Sequence, residues 1–454
     1  MPKIDDLEKE TQKEIEVKNL PLLSFSTLKK RFNEVFLIKD PGIIKLVFAA
    51  VIANRIKADP VWLFIVGAPG SGKTEFITAL SLVNEIYPIS SLTAHTFISG
   101  KKGQNFSQNS LLLKIQSGTI TLKDFTTLLS INKDERKEIM SQFREIYDGS
   151  FDKPFGTGEE IHWKGKIGLI AGVTTVIYQM RDLYAAMGER FIMYYPELPD
   201  RKEMARRAMQ NVESIQEKRL ELQKLAQRYL DKTVKIHNPL PVLSPELNEE
   251  LLELAEFSTR ARSPVDREIF GSNKEITFAH PPELPTRFAS QLKILALGLA
   301  MINENNEVME EDKQILYNIA LSSITITRRK ALHELTKYAS VNTSGLATKL
   351  NYPTSTVRRW LEDLNALEMV IRLKSGNKDL WQIKEEYRPI LQKYENITLI
   401  NAELTEEYLQ GENGNEQSTS STRDPEPSEY ASEESSAESY NALPLDDSYT
   451  PEEE

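Results

Sequence analysis

Eight consecutive residues, Gly67, Ala68, Pro69, Gly70, Ser71, Gly72, Lys73 and Thr74, have the spacing G-x-x-x-x-G-K-[ST] in full. Glycines so spaced let backbone N–H groups turn inward around phosphate oxygens, and the closing lysine and hydroxyl add a charge and a metal ligand. The apolar run "VWLFIV" precedes the stretch and "TEFITALSLV" follows it, so a buried strand leads into a loop that opens a helix. A helix N-terminus adds positive potential there. The implied chemistry is binding of a nucleoside triphosphate with Mg²⁺: Lys73 toward the β- and γ-phosphates, Thr74 on the metal.

Such a loop works only on a rigid sheet, and the pattern supplies one. After helices within 27–58, apolar strands are expected at 61–66, 90–99, 118–124, 166–175 and 189–198, with helical stretches between them. Strands alternating with helices predict an α/β fold with a parallel five-stranded sheet covered on both faces. The expected divisions are a charged arm (1–26), a core built on the phosphate loop (27–200), a helical linker and lid (201–325), a C-terminal module (326–392) and an acidic disordered tail (393–454). Within the linker, 201–232 reads as one long charged helix, 236–286 as irregular, and 287–323 as two helices.

Composition narrows the classes further. The chain has 454 residues, 40% of them hydrophobic, and no cysteine, which excludes disulfides and thiolate metal sites. Five scattered histidines form no ligand pair. No apolar run is long enough for a bilayer and the first residues are charged, so the expectation is a cytoplasmic protein with no membrane partner. The net charge of −11 is uneven. Residues 403–454 hold 16 Asp and Glu against one Arg, which leaves the rest slightly basic and compatible with a nucleic-acid partner.

The loop and the strands that follow it resemble an AAA+ ATPase core over about residues 40–325, nearest the minichromosome-maintenance helicase and enhancer-binding activator branch. "GTITLKDFTTLL" (118–129) then carries the acidic strand end, and two alignments are open. In one, Asp124 is the magnesium carboxylate and Phe125 stands where a glutamate base is expected. In the other, Asp124 takes the glutamate position and Lys123 replaces the aspartate. The first fits better, since a lysine beside magnesium would repel it. The base is then absent from its usual place, and no spacing rule selects among Asp134, Glu135 and Glu145. A helix-capping role for Asp124 ranks behind the metal role.

The resemblance also implies a sensor hydroxyl at Thr175, with Thr174 beside it. It implies an arginine finger at Arg190 in "GERF" that acts on a neighbouring subunit's nucleotide, and a nucleotide-sensing arginine at Arg287 in "LPTRF". A hairpin at about 151–165 would offer Lys153, His162, Trp163 and Lys164 to a DNA strand, or else be a surface hairpin with Trp163 packed down. Arg260, Arg262 and Arg267 receive no individual role. The partner implied is a second copy of the chain, in a ring for which six subunits is one allowed size.

Residues 326–385 read as three helices and two strands, a winged helix-turn-helix. Thr354 and Ser355 are expected to cap the third helix, Val357, Trp360, Leu361 and Leu364 to form its core face, and Arg358 and Arg359 to lie off it. Lys374 and Lys378 fall in the wing. With 12 Lys and Arg against 7 Asp and Glu over 328–388, the six residues Thr354, Ser355, Arg358, Arg359, Lys374 and Lys378 are candidates for DNA contact. Winged helices also serve as protein-interaction modules. The acidic tail could dock a protein partner or compete with DNA for the basic face. The resemblance thus implies an ATP-hydrolysing protein acting on DNA, in replication or helicase-like work of the kind a mobile element encodes. The alternative is an ATP-switched DNA-binding transcriptional regulator without motor activity.

Overall fold

The computed structural model describes residues 23–98, 110–154, 160–179, 190–233, 239–268, 274–303 and 306–393. The expectations for the first 22 residues and for the acidic tail lie outside them. Five parallel strands build the central sheet: β1 (Trp62–Val66), β2 (Ile86–Ile89), β3 (Ser117–Leu122), β6 (Lys166–Val173) and β7 (Phe191–Tyr194). Their order is β2-β3-β6-β1-β7, so β1 lies between β6 and β7, and β3 is one strand further out. Val66 is level with Val173, and Leu122 with Ala171, which brings the tips of β1, β3 and β6 to one edge.

Alternating residues of β1 feed opposite faces, as the two-residue period requires. Leu63 and Ile65 enter the core with α2 (Gly42–Arg55), while Trp62, Phe64 and Val66 enter the core with α4 (Lys133–Tyr147). Helix α2 is buried at every position from Ile43 to Ala53. It is buried all round, and apolar except for the ion-paired Lys45, because it is enclosed by the sheet and α8 (Thr286–Ile302). Gly298 permits that approach, since a Cβ there would lie 2.5 Å from the Ala49 carbonyl oxygen. Asn54, near the end of α2, exchanges two hydrogen bonds with the Val61 backbone, at 3.1 and 2.7 Å, and so fixes where β1 begins.

Several sequence expectations are corrected. Residues 90–98 form turns rather than a strand. The Thr96 amide bonds the Thr93 carbonyl at 3.0 Å and the Thr93 amide bonds the Thr96 hydroxyl at 2.8 Å, so the threonines curl the chain. The strand falls earlier, on "IYPI", where Pro88 is tolerated because β2 is the sheet edge. The long helix over 201–232 is instead α5 (Arg201–Asn211) and α6 (Ile215–Arg228), followed by a π turn. The break comes where the Asn211 amide donates to the Val35 carbonyl at 2.7 Å, which ties the chain to α1 (Phe25–Val35). The segment read as irregular contains the 18-residue α7 (Pro245–Arg262) and a hairpin of β8 (Val265–Arg267) and β9 (Ile276–Ala279). Ser244 caps α7 and Pro245 occupies its first turn.

Between α4 and β6 the expected hairpin is present as β4 (Ser150–Pro154) and β5 (Glu160–Lys164). Trp163 packs down, 4% exposed, and donates from Nε1 to the Ile115 carbonyl at 2.8 Å, so it is a structural residue. His162 is exposed beside Asp152 at 2.8 Å.

The C-terminal unit contains α10 (Ile326–Thr336), α11 (Thr343–Leu350), α12 (Thr354–Ala366) and an antiparallel sheet in the order β10-β12-β11 (Val341–Asn342, Lys378–Ile383, Val370–Ser375). Helix α9 (Glu310–Ser322) precedes it and follows α8 in the chain. Val357, Trp360, Leu361 and Leu364 are buried, as their spacing predicts. The caps differ from expectation: Pro353 occupies the N-cap of α12, and Thr354 and Ser355 lie exposed in its first turn. No helix among the described residues is long and apolar enough to cross a membrane.

Candidate functional site: a phosphate loop and the strand tips around it

The β1–β6 ladder continues one residue past the strand, with the Gly67 amide on the Val173 carbonyl at 3.1 Å. The chain then turns through Gly70 (φ +77°) and Gly72 (φ +85°), left-handed conformations that glycine adopts without strain. Gly72 is the N-cap of α3 (Lys73–Ala79). At Gly67 a Cβ would lie 2.8 Å from the Ser71 hydroxyl, so a side chain there would require the Ser71 hydroxyl to turn away.

Lys73 sits at the centre of the loop, 9% exposed, and donates to the carbonyls of Gly67 and Ala68, both at 2.7 Å, and to the Ser71 hydroxyl at 3.3 Å. Burial holds its ammonium down to a pKa of about 8, while the charge of Asp124 acts in the opposite sense. That coupling puts the β3 tip within electrostatic reach of the loop. Thr74 is exposed on the first turn of α3, free of the core that holds Phe76 and Ile77. The loop helix is braced from behind: Phe76 stacks on Phe32 of α1 at 6.4 Å, and Arg219 of α6 donates from Nε to Glu75 at 2.9 Å.

At the β3 tip, Lys123 and Asp124 are exposed and Phe125 is fully buried. The Phe125 ring lies 4.6 Å from Phe64 and 5.7 Å from Phe191, inside the aromatic core under the sheet. Its side chain is therefore a core element and points away from the loop edge. Asp124 caps a 3-10 turn (Phe125–Ser130), its Oδ1 accepting the Thr126 amide at 2.8 Å. The capping contact that ranked behind a metal role is thus present.

The next contact was not legible in the sequence. The Thr126 hydroxyl donates to the Thr174 hydroxyl at 3.2 Å and accepts the Thr174 amide at 3.1 Å. Asp124, Thr126 and Thr174 form one polar chain across the tips of β3 and β6. Thr175, the expected sensor, opens the 3-10 turn that follows, and it is Thr174 that makes the cross-strand bond. The only signal was a threonine two residues after the aspartate, and no spacing rule singles that out.

The arginines form a separate group. Arg190 precedes Phe191, which pairs with Trp62 at the start of β1. Along the strands that is about 20 Å from Gly67, at the opposite sheet edge. Arg190 is 9% exposed, and its Nη2 contacts both Asp148 oxygens, at 3.0 and 2.9 Å. Its guanidinium lies over the Tyr147 ring at 5.4 Å. Burial pushes the Tyr147 hydroxyl up to about 12, and the charges of Arg287 and Arg190 both pull it back. Arg190 and Arg287 therefore share one neighbourhood, away from Lys73 of the same chain. Arg287 pairs with Glu283 at 3.4 Å, so a carboxylate supplies the anion that its place at a helix start calls for. Arg262 pairs with the same Glu283 at 3.2 Å and lies over Phe288.

A polar cleft of about 190 Å³ opens at the tip of β7, lined by Asp40, Lys45, Tyr194 and Asn318 among others. Asp40 accepts the Tyr194 hydroxyl at 2.7 Å and the Gly42 amide at 2.9 Å, and burial raises its pKa. Lys45 is 5% exposed and contacts Asp312 at 2.6 Å and Glu311 at 2.7 Å. Tyr194 is level with Ile65, two residues before Gly67, so this cleft lies on the loop's side of the sheet.

On the C-terminal unit, Arg358 is exposed on α12, and Lys374 and Lys378 are exposed on the hairpin that turns at Gly376. Arg358 and Lys374 both lower the pKa of Asp379, after its hydrogen bond to Arg372, so helix and hairpin present one basic face. Arg359 is half-buried, and its carbonyl accepts from Arg267 at 2.9 Å. Arg267 also holds Asp363 at 2.7 Å, which docks the β8–β9 hairpin against α12. The sequence matches no protein-family model and no curated protein, and the case for a role rests on this geometry.

Proposed function

We propose that this chain binds and hydrolyses ATP and acts on DNA, as an AAA+-type core with a C-terminal winged helix-turn-helix. The observation that carries the reading is the loop Gly67–Thr74, with Lys73 at its buried centre, Thr74 exposed on the first turn of α3 and the Asp124 charge reaching Lys73. In this reading the loop amides cradle the phosphates, and Lys73 exchanges the Gly67 and Ala68 carbonyls for β- and γ-phosphate oxygens. The donor set fits magnesium, a hard cation that takes a hydroxyl and a carboxylate at the two tips. Bound by Thr74 and Asp124, the metal would offset phosphate charge. The cleft beside Asp40 and Tyr194, at the loop's end of the sheet, is the proposed place for base and sugar.

Arg190 and Arg287 are too far from Lys73 to serve the same chain's nucleotide. That separation supports action on a neighbouring copy, and hence a ring. The exposed Arg358, Lys374 and Lys378, with Thr354 and Ser355 at the helix start, support phosphate contact with α12 in the major groove.

One observation favours the second reading, an ATP-switched DNA-binding regulator: Phe125 is locked into the core where a glutamate base is expected. DNA-stimulated ATP turnover separates the two. The motor reading predicts turnover that rises with DNA and vanishes in Lys73→Ala. Turnover no greater than that of Lys73→Ala, with DNA present, leaves only the switch.

A further inference from the structure

We infer that Thr126 is a positioning residue, which holds Thr174 in place to orient the attacking water and so compensates for the carboxylate missing at Phe125. The inference rests on the ATP-hydrolysing reading. Three features carry it. Phe125 has no freedom to turn toward the loop edge, being fully buried and ringed by Phe64, Phe143 and Phe191. The polar chain of Asp124, Thr126 and Thr174 does reach that edge and offers groups that can orient water.

Next, the polarity of the Thr126–Thr174 link is informative. Thr126 accepts from the Thr174 amide and donates its own proton to the Thr174 hydroxyl oxygen. A hydroxyl has one proton and two lone pairs, so Thr174 keeps its own proton to donate elsewhere. Thr126 thus fixes the Thr174 side chain as an outward donor, which suits a phosphate oxygen or a water.

Finally, Thr126 is tied to Asp124 through its amide, which engages Oδ1 and leaves Oδ2 for the metal or the water. One residue thereby sets both the carboxylate of β3 and the hydroxyl of β6. Because those strands are adjacent and in register up to Leu122 and Ala171, a small slip of either tip moves both groups together.

The test uses the full chain and four variants: Thr126→Val, Thr126→Ser, Thr174→Val and the double valine variant, with Lys73→Ala as control. Mg-ATP affinity, single-turnover rate and unfolding temperature are measured for each. Valine keeps the shape and removes the hydroxyl, so Thr126→Val should lower the turnover rate by roughly ten- to a hundredfold, the scale expected for a misplaced reacting group. Affinity should stay within about twofold of wild type. Thr126→Ser should recover most of the rate, and the double variant should be no slower than the slower single one. A Thr126→Val rate equal to wild type overturns the inference. So does a loss of affinity and unfolding temperature that parallels the rate, or strictly additive valine effects. If wild type itself turns over no faster than Lys73→Ala, the hydrolytic reading fails and this inference with it.

Discussion

Phe125 shows how one side chain can decide between two chemistries. At that position a glutamate would have to leave the edge of the sheet and enter an aromatic core. Phe125→Glu should therefore fail to restore a base: it removes a fully buried ring and buries a carboxylate among Phe64, Phe143 and Phe191. The expected cost is at least about 3 kcal/mol, read from the urea midpoint. A stable and faster variant would contradict the packing account. Lys73 makes a second residue-scale prediction. Its pKa of about 8 lies below the lysine norm because of burial, so the unfolded chain binds more protons between there and about 10.5, and this group's contribution to stability rises with pH over that window. Phosphate charge beside it reverses the shift, so ATP binding takes up a proton once pH passes about 8. Affinity should fall by up to about tenfold per pH unit above that point. Calorimetry in buffers of different ionisation enthalpy reads the proton directly, and no uptake at pH 8.5 would remove Lys73 from phosphate contact. The loop itself was legible because backbone sterics and phosphate chemistry prescribe each of its positions. Thr126 was not, because its role depends on the register of two strands that are distant in sequence.

Among the elements, legibility followed whether local signals agreed with tertiary demands. The stretches 61–66 and 167–173 are continuous apolar runs buried on both faces. Residues 201–232 look uniformly helical, yet a side-chain bond from Asn211 to the Val35 carbonyl breaks the run, and sequence periodicity carries no trace of that contact. Helix α7 was missed although its signals were present: Ser244-Pro245 is a start signal, and Leu247, Leu251, Leu254 and Ala255 repeat at helical spacing on its buried face. The prolines around it obscured that pattern. The docking of α12 onto β8–β9 turns on Asp363, which receives Arg267 at 2.7 Å and Arg328 at 3.5 Å. Asp363→Ala takes one carboxylate from two arginines, which keep the Glu362 carboxylate and the Arg359, Ala261 and Ser263 carbonyls, and should cost about 1.5 kcal/mol by thermal unfolding. An unchanged unfolding temperature would mean that the remaining contacts of Arg267, to Glu362 and the Arg359 carbonyl, hold the hairpin on α12 without Asp363.

Across the whole molecule, the sheet separates two sets of charged groups that the sequence lists only in order. Lys73, Thr74, Asp124 and the Thr126–Thr174 link lie at the C-terminal edge of the strands. Arg190, with Arg287 close by, lies at the other. If both sets serve one reaction, each site needs two copies of the chain. Lys73→Ala and Arg190→Ala should each be inactive alone, with Arg190→Ala still binding ATP, because Asp148 is exposed enough to lose its partner at little cost. Mixed together, the two variants should regain part of the turnover through interfaces that combine an intact loop with an intact arginine. No regain on mixing, with both proteins folded, would place Arg190 in a purely structural pair with Asp148. The central claim, that Gly67–Thr74 is a working phosphate site, is tested most directly by titrating Mg-ATP into the full chain and into Lys73→Ala at pH 7 by calorimetry. The account predicts saturable binding by the wild type and at least about a hundredfold loss in the variant, consistent with removal of a charged phosphate contact. Equal affinity in the two proteins would contradict it.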